Sequence, residues 1–156
     1  MKRDSVGVGS RGRESAAREL ILYVEDDDDN WEIAELRLAK RYDLLRACND
    51  EQACRILRER HREIDLILMD IELRGSELNG IELTELLRGN TLPERSLLPS
   101  YARNLPAIGK PVLFVTAHGA RFTRVQLLLS GADRVIPKPV DFADLQIALR
   151  ELLGST

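Results

Sequence analysis

The sequence predicts an α/β fold built on a doubly wound parallel sheet. Short, continuous apolar runs alternate with longer segments whose apolar residues recur at helical spacing, which is the pattern of strands joined by crossover helices. The run at residues 20–24, LILYV, is apolar throughout, as a strand buried on both faces should be. It stops at five consecutive acidic residues. Five predicted strands and five predicted helices alternate in this way along the chain.

Each element has a local signal. The predicted strands are residues 20–24, 42–47, 66–69, 112–115 and 134–136. The predicted helices are residues 30–41, a stretch that begins at Asn49, residues 81–88, residues 121–130, and a stretch that begins at Asp141 and ends at Gly154. In the first helix, Ile33, Leu36 and Ala39 share one face and are expected to point inward. Asn49 and Gln52 predict a capping box at the start of the second helix.

The composition restricts the class of protein. The chain has 156 residues, a length that suits one domain. Its formal net charge of −3 disfavours nucleic acid as a partner. No apolar run approaches the roughly 18 residues of a membrane helix, so a membrane protein is excluded. Cys48 and Cys54 are the only cysteines and lack metal-site spacing, which indicates a reducing, cytoplasmic location. Residues 1–19 have no apolar stretch and are predicted to be a flexible tail before the domain at 20–156.

Residues 89–110 break the alternation of strands and helices. Pro93, Pro99 and Pro106 exclude a continuous helix, and the segment is too long for an ordinary connector. We interpret it as a proline-rich insertion between a helix and the next strand. Such a connection leads to the amino end of a strand, so the insertion is expected to lie opposite the ligand-binding edge of the sheet.

Charged and polar side chains follow the strands at their carboxyl ends. Glu25 and Asp26 follow the first strand, and Asp70 follows the third. Thr116 and Lys138 follow the fourth and fifth strands. These ends meet at the edge where open parallel sheets bind ligands. Three converging carboxylates repel one another, and Mg²⁺, which prefers oxygen ligands, would relieve this repulsion. The sequence therefore predicts a magnesium site at this edge, with room for a phosphate oxygen.

This edge carries the parts needed for phosphoryl transfer to a carboxylate. Asp70 is the central candidate for the acceptor, which would become an aspartyl phosphate. The ammonium of Lys138 can pair with one phosphoryl oxygen, and the hydroxyl of Thr116 can donate to another. Each of these residues alone has an ordinary structural explanation, since acids are common at helix starts. The prediction depends on their joint spacing.

Four segments carry a family resemblance, LILYVEDD, LILMD, VLFVTA and VIPKP. They resemble the acidic pair, phosphoacceptor, threonine and lysine motifs of the two-component response-regulator receiver domain. The separations agree, since Asp70 lies 44 positions after Asp26 and Lys138 lies 22 positions after Thr116. The resemblance implies a flavodoxin-like (βα)5 sheet with strand order 2-1-3-4-5, and a function in phosphorelay signalling.

The resemblance also implies roles for single residues. Asp70 would accept the phosphoryl group from a histidine kinase or a histidine phosphotransfer protein and lose it by autodephosphorylation. Asp26 and Asp70 would bind Mg²⁺, Glu25 would act mainly through a metal-bound water, and Glu72 would lend its backbone carbonyl. No enzymatic or DNA-binding output segment follows Thr156, so the chain resembles stand-alone members that signal by contact with a downstream protein.

The chain departs from the family pattern at several places. The family often has an aromatic residue three positions before the lysine, where this chain has Val135. The loop at residues 71–79 is longer than usual, and the insertion at 89–110 is additional. The resemblance also allows a homodimer through the last two helices and the fifth strand. These departures leave open a second hypothesis, a receiver-like adaptor that signals without phosphorylation.

Overall fold

The strands form one five-stranded parallel sheet in a computed structural model that describes residues 18–92, 97–117 and 122–154. The strands are β1 (Leu20–Val24), β2 (Asp43–Ala47), β3 (Leu66–Asp70), β4 (Val112–Thr116) and β5 (Arg134–Pro137). Their order across the sheet is β2-β1-β3-β4-β5, and every neighbouring pair is parallel. The predicted fold class and the predicted strand order 2-1-3-4-5 are therefore confirmed.

Helices cover both faces of this sheet. They are α1 (Asp28–Leu38), α2 (Asp50–Arg60), α3 (Gly80–Leu87), α4 (Arg124–Leu129) and α5 (Phe142–Gly154). Successive side chains of a strand point to opposite faces. Leu22 and Val24 therefore enter a core shared with α2 and α3, whereas Ile21 and Tyr23 enter a second core shared with α1 and α5. This division into two cores makes the sheet doubly wound.

The helix starts follow the polar residues that precede them. The Asn49 side chain accepts a hydrogen bond from the Gln52 amide at 2.9 Å, as predicted. The Gln52 side chain, however, accepts from the Cys48 amide and not from that of Asn49, so the box is shifted by one residue. At α5, the Asp141 carboxylate accepts from the amides of Ala143 and Asp144. These bonds satisfy amides that the helices themselves leave without partners.

The inward face of α1 differs from the prediction. Ala34 and Leu38 are buried, whereas Ile33 is 49% exposed and Leu36 is 78% exposed. The apolar residues of this helix lie on more than one side, so their spacing alone does not single out the face that packs on the sheet. Packing against β1 and α5 selects the face with Ala34 and Leu38, and it leaves two large apolar side chains at the surface.

Two leucines of α1 test this assignment. We expect Leu38→Ala to lower the free energy of unfolding by about 3 kcal/mol, because it leaves a cavity in a packed core. Leu36→Ala should change it by no more than about 0.5 kcal/mol, because this side chain is solvated. Urea denaturation of both variants measures the difference. A larger loss for Leu36→Ala than for Leu38→Ala would show that α1 packs through the face predicted from sequence.

The insertion packs against the sheet and is not an independent unit. Its short 3-10 helix, Ser100–Ala102, lies beside α2, and Ala102 and Ile108 are buried in the core under α2 and α3. The Arg58 guanidinium of α2 donates to the backbone carbonyls of Tyr101, Arg103 and Asn104, at 2.7, 3.1 and 3.2 Å respectively. The insertion is therefore fixed to α2 through its residues 101–104.

One residue of the insertion reaches the carboxyl edge of the sheet, so the prediction that the insertion lies opposite this edge is wrong for that residue. The Tyr101 hydroxyl donates to the Asp50 carboxylate at 2.7 Å. The same buried carboxylate oxygen accepts from the amides of Glu77 and Leu78, in the loop that follows β3. Helix α2 begins at the carboxyl ends of the strands and runs toward their amino ends. The insertion contacts Arg58 near the end of this helix and, through the Tyr101 side chain, Asp50 at its start. In the part of the chain that the structure describes, the insertion does not line the acidic cleft at the carboxyl edge.

The predicted N-terminal tail, residues 1–19, falls almost wholly outside the described residues. The described part starts at Arg18, whose guanidinium donates to the backbone carbonyls of Ala39, Arg41 and Tyr42. These bonds attach the chain just before β1 to the connection between α1 and β2. Within the described ranges, every helix is too short or too polar to cross a membrane.

Candidate functional site

The carboxyl edge of the sheet holds a cleft of about 220 Å³. It lies where β1 and β3 end, next to the start of α1. Its lining residues are Glu25, Asp26, Asp27, Asn30, Asp70, Glu72, Arg74, Ala117 and Lys138. Five of the six residues predicted from sequence to form a site therefore line one cleft.

Thr116 is the exception among the predicted site residues. It is the last residue of β4, and its backbone carbonyl accepts a hydrogen bond from the Lys138 amide at 2.6 Å. Among the residues that the structure describes, Ala117 lines the cleft and Thr116 does not. The strand therefore ends at the expected edge, with the threonine at the border of the cleft.

Three carboxylates converge in the cleft. One ligand atom from each of Glu25, Asp26 and Asp70 lies within 4.8 Å of the others. Glu25 is fully buried and Asp70 is 6% exposed. The Glu25 carboxylate accepts hydrogen bonds from the Tyr23 hydroxyl and the Asp27 amide, both at 3.0 Å. These bonds fix Glu25 in place at the end of β1.

The ammonium of Lys138 joins two of these acids. Its Nζ lies 3.0 Å from Oε1 of Glu25 and 3.1 Å from Oδ2 of Asp70. Burial lowers the pKa of Lys138, but the negative charges of Asp70 and Glu25 outweigh it, and the pKa lies above its ordinary value. Lys138 therefore stays charged at neutral pH and partly compensates the acids. Its position follows from β5, which ends one residue before it.

Asp70 has the most strongly shifted pKa among the residues of the cleft. Burial, and then the charge of Glu25, raise the pKa of Asp70 to about 7, even though Lys138 acts in the opposite direction. A carboxylate in this state is ionised only in part at neutral pH. A cation placed among these acids would therefore favour the ionised form of Asp70.

Arg74 completes the cleft, and no sequence motif indicated it. Its Nε lies 2.7 Å from Oδ2 of Asp26, and its backbone amide donates to the same oxygen at 3.0 Å. Burial opposes ionisation of Asp26, but the hydrogen bonds from Arg74 hold the pKa of Asp26 below its ordinary value. The available signal was that Arg74 is the only basic residue in the loop at 71–79.

The donor set suits a hard divalent cation. Three carboxylate oxygens from Glu25, Asp26 and Asp70 lie close enough together to share one ion, and the cleft is open enough for additional water or phosphate ligands. Glu72 lies at the same cleft. The ammonium of Lys138 adds a positive charge 3.1 Å from Oδ2 of Asp70. The arrangement can hold a cation and an anionic group together at Asp70.

Val135 lies away from this cleft. It is on β5, is 8% exposed, and packs in the core shared with α2 and α3. The aliphatic side chain at this position is therefore part of the packed interior. His118 lies outside the described residues.

A family model confirms the class of domain that the fold and cleft indicate. The chain matches the model of the response regulator receiver domain over residues 21–150. It belongs to the response regulator receiver domain family, which signals in two-component systems. Receiver domains generally bind Mg²⁺ at an acidic pocket, and the cleft described above is a pocket of that kind.

Curated relatives agree with this assignment. The transcriptional regulatory protein ZraR of Klebsiella oxytoca is 36% identical over 138 residues, which is 87% of this chain and 26% of that protein. The phosphate regulon transcriptional regulatory protein PhoB of Pseudomonas aeruginosa is 31% identical over 137 residues, which is 87% of this chain and 52% of that protein. The chain thus spans about a quarter to a half of the length of these relatives.

Solved structures share the fold. The receiver domain of the Francisella response regulator 1452 matches with a TM-score of 0.70 at 21% identity, over 88% of this chain and 98% of that chain. A chain in the co-crystal structure of Ypd1, a histidine phosphotransfer signalling protein of Saccharomyces cerevisiae, with the receiver domain of the response regulator Ssk1 matches with a TM-score of 0.67. That match has 26% identity and covers 88% of this chain and 90% of that chain.

Proposed function

We propose that this chain is a phosphoacceptor receiver, with residues 20–156 as its domain, in which Asp70 takes a phosphoryl group from a phosphohistidine. The observation that carries the proposal is the pair of contacts from Lys138 to Asp70 and Glu25, beside a third carboxylate from Asp26. This arrangement supplies a nucleophilic oxygen, a fixed cation and a place for a metal ion within one cleft. It supports phosphoryl transfer at a strand end.

The residues of the cleft have separate tasks in this reaction. An oxygen of the Asp70 carboxylate attacks phosphorus, and the bond from phosphorus to the histidine nitrogen breaks with its electron pair on that nitrogen. The imidazole leaves neutral because its other ring nitrogen carries a proton in the phosphohistidine donor. Lys138 pairs with a phosphoryl oxygen while the phosphoryl group moves onto Asp70. The hydroxyl of Thr116, at the end of β4, donates a hydrogen bond to a second phosphoryl oxygen. Hydrolysis of the acyl phosphate by water later restores Asp70.

Carboxylates of Glu25, Asp26 and Asp70, with the backbone carbonyl of Glu72, would hold Mg²⁺, with Glu25 acting mainly through a water. The bound ion would neutralise charge on the transferring group. Asp26 remains ionised through its hydrogen bonds with Arg74, and Glu25 is fixed by Tyr23. The chain therefore prepares the acidic side of the cleft before a donor arrives.

A groove beside the cleft suits a phosphohistidine-bearing partner, either a histidine kinase or a histidine phosphotransfer protein. It has a volume of about 160 Å³, and Ile33, Lys138 and Phe142 contribute to its lining. Lys138 lines both the groove and the cleft that contains Asp70, so a partner bound in the groove would lie next to the site of transfer. Ypd1 in the related co-crystal structure is a histidine phosphotransfer signalling protein, which supports a partner of this class.

The output surface in this proposal lies on α4, β5 and α5. Val125 and Leu129 of α4 are 64% and 79% exposed, which leaves apolar surface for a downstream protein or for a second copy of the chain. Phosphoryl contacts to Thr116 and Lys138 would bias the segments that follow β4 and β5. The two free cysteines, Cys48 and Cys54, are in keeping with a cytoplasmic location.

Acetyl phosphate tests the proposal without a cognate kinase. We expect the wild-type chain, incubated with acetyl phosphate and Mg²⁺, to gain one phosphoryl group by intact mass. The gain should be absent in Asp70→Asn and in a sample treated with a chelator. Glu35→Gln, a change on the exposed surface of α1, serves as the control and should be phosphorylated like the wild type.

The same experiment examines a second candidate, a receiver-like adaptor that does not need phosphorylation. The aliphatic Val135, packed in the interior, favours this candidate because the usual aromatic residue is missing at that position. A folded wild-type chain that gains no phosphoryl group would contradict the phosphoacceptor proposal and favour the adaptor.

A further inference from the structure

The β3 to α3 loop places a guanidinium on one of the three clustered carboxylates. Arg74 contacts Oδ2 of Asp26 twice, through its side-chain Nε at 2.7 Å and its backbone amide at 3.0 Å. Its Nη2 also lies 3.4 Å from Oδ2 of Asp27. Arg74 therefore supplies a positive charge at the side of the acidic cluster that Lys138 does not reach.

The two partners of this ion pair have different environments. The Asp26 side chain is 8% exposed, whereas the Arg74 side chain is 76% exposed. An exposed guanidinium loses little when it moves into solvent, because water replaces its hydrogen bonds. The buried carboxylate, in contrast, needs a counter-charge. The pair thus joins a fixed anion to a cation that can leave.

We propose that Arg74 is a tethered competitor of the divalent cation, which lowers the affinity of the cleft for Mg²⁺ and so sets the Mg²⁺ concentration at which the domain becomes ready for phosphorylation. This inference rests on the proposed function, because it takes Asp26 as a metal ligand. The guanidinium compensates Asp26 when no ion is bound. An ion that enters must then displace this charge or bind beside it.

Electrostatics sets the size and direction of the effect. A unit charge about 6 Å from a divalent ion in a water-exposed site repels it enough to weaken binding about tenfold. The backbone amide of Arg74 keeps its bond to Asp26 whatever the side chain is, so substitutions of the side chain leave one anchor of the loop intact. The Leu78 end of the loop is held separately by Asp50.

Calorimetric titration with MgCl₂ tests the inference on the full chain. We expect Arg74→Gln to bind Mg²⁺ about tenfold more tightly than the wild type near physiological ionic strength, and Arg74→Lys to stay within about twofold because it keeps the charge. Arg62→Gln removes an exposed arginine at the opposite edge of the sheet and should leave the affinity unchanged. The advantage of Arg74→Gln should shrink as NaCl is added.

The outcomes separate this inference from the proposed function. If the wild type binds Mg²⁺ and Arg74→Gln binds it equally or more weakly, Arg74 is not a competitor and acts as a support of the loop, while the phosphoacceptor proposal stands. If no variant binds Mg²⁺ and all are folded by circular dichroism, both the inference and the metal site of the proposed function are contradicted.

Discussion

Lys138→Met is expected to slow phosphoryl uptake at Asp70 from acetyl phosphate at least about a hundredfold, the effect of removing one electrostatic contact to a reacting group. The ammonium lies 3.1 Å from the Asp70 carboxylate, and methionine keeps most of the side-chain volume without the charge. Its loss also removes the attraction that lowers the pKa of Asp70, so less of this carboxylate is ionised at neutral pH. The time course of intact mass measures the rate.

A pH series separates the two effects of this substitution. Raising the pH ionises Asp70 again but cannot replace a positive charge at the phosphoryl oxygens. We therefore expect Lys138→Met to recover only part of the wild-type rate at pH 9. Lys40→Met, at an exposed position after α1, is the matched control and should react at the wild-type rate. A Lys138→Met rate within about threefold of wild type would contradict the role of this lysine.

Asp70→Asn is expected to make the metal-free chain more stable at pH 8, by about 4 kcal/mol. The pKa of Asp70 is about 7 in the folded chain and near 3.8 in the unfolded chain, so between these values the folded state binds the extra proton. The free energy of unfolding of the wild type therefore falls as the pH rises from about 4 to about 7. Asparagine does not titrate, so its advantage grows across this interval and then stays constant.

Urea denaturation in the presence of a chelator, at pH 4.5 and pH 8, checks this prediction. Glu35→Gln removes an exposed carboxylate of α1 and should give a small difference at both pH values. Mg²⁺ added to the wild type should reduce the gap at pH 8, because binding to the folded state stabilises it. A gap that is the same at both pH values would show that Asp70 has an ordinary acidity.

The sheet and the acidic part of the cleft could be predicted from sequence because their signals are local. LILYV and LILM are apolar through their whole length, as strands covered on both faces are, and the acids that follow them must meet at one edge. The structure accordingly brings Glu25, Asp26 and Asp70 together. Their chemical roles remain predictions.

Three features of the structure could not be predicted from the sequence because they depend on tertiary packing. The face of α1 that carries Leu38 is chosen by contacts with β1 and α5, not by its own spacing. The contact of Arg74 with Asp26 joins residues 48 positions apart and depends on the path of an irregular loop. The Tyr101 hydroxyl donates to Asp50 only because the insertion packs beside α2. No periodic pattern encodes such long-range contacts.

The bond between Tyr101 and Asp50 has a thermodynamic consequence for the insertion. One carboxylate oxygen of Asp50 holds the insertion through Tyr101 and the β3 to α3 loop through the amides of Glu77 and Leu78. The two segments therefore share one acceptor, and their conformational equilibria are linked. A ligand that binds the insertion only when Tyr101 has left Asp50 must change the conformational equilibrium constant of the loop by some factor. A shift of the loop to its other conformation must then change the affinity for that ligand by the same factor.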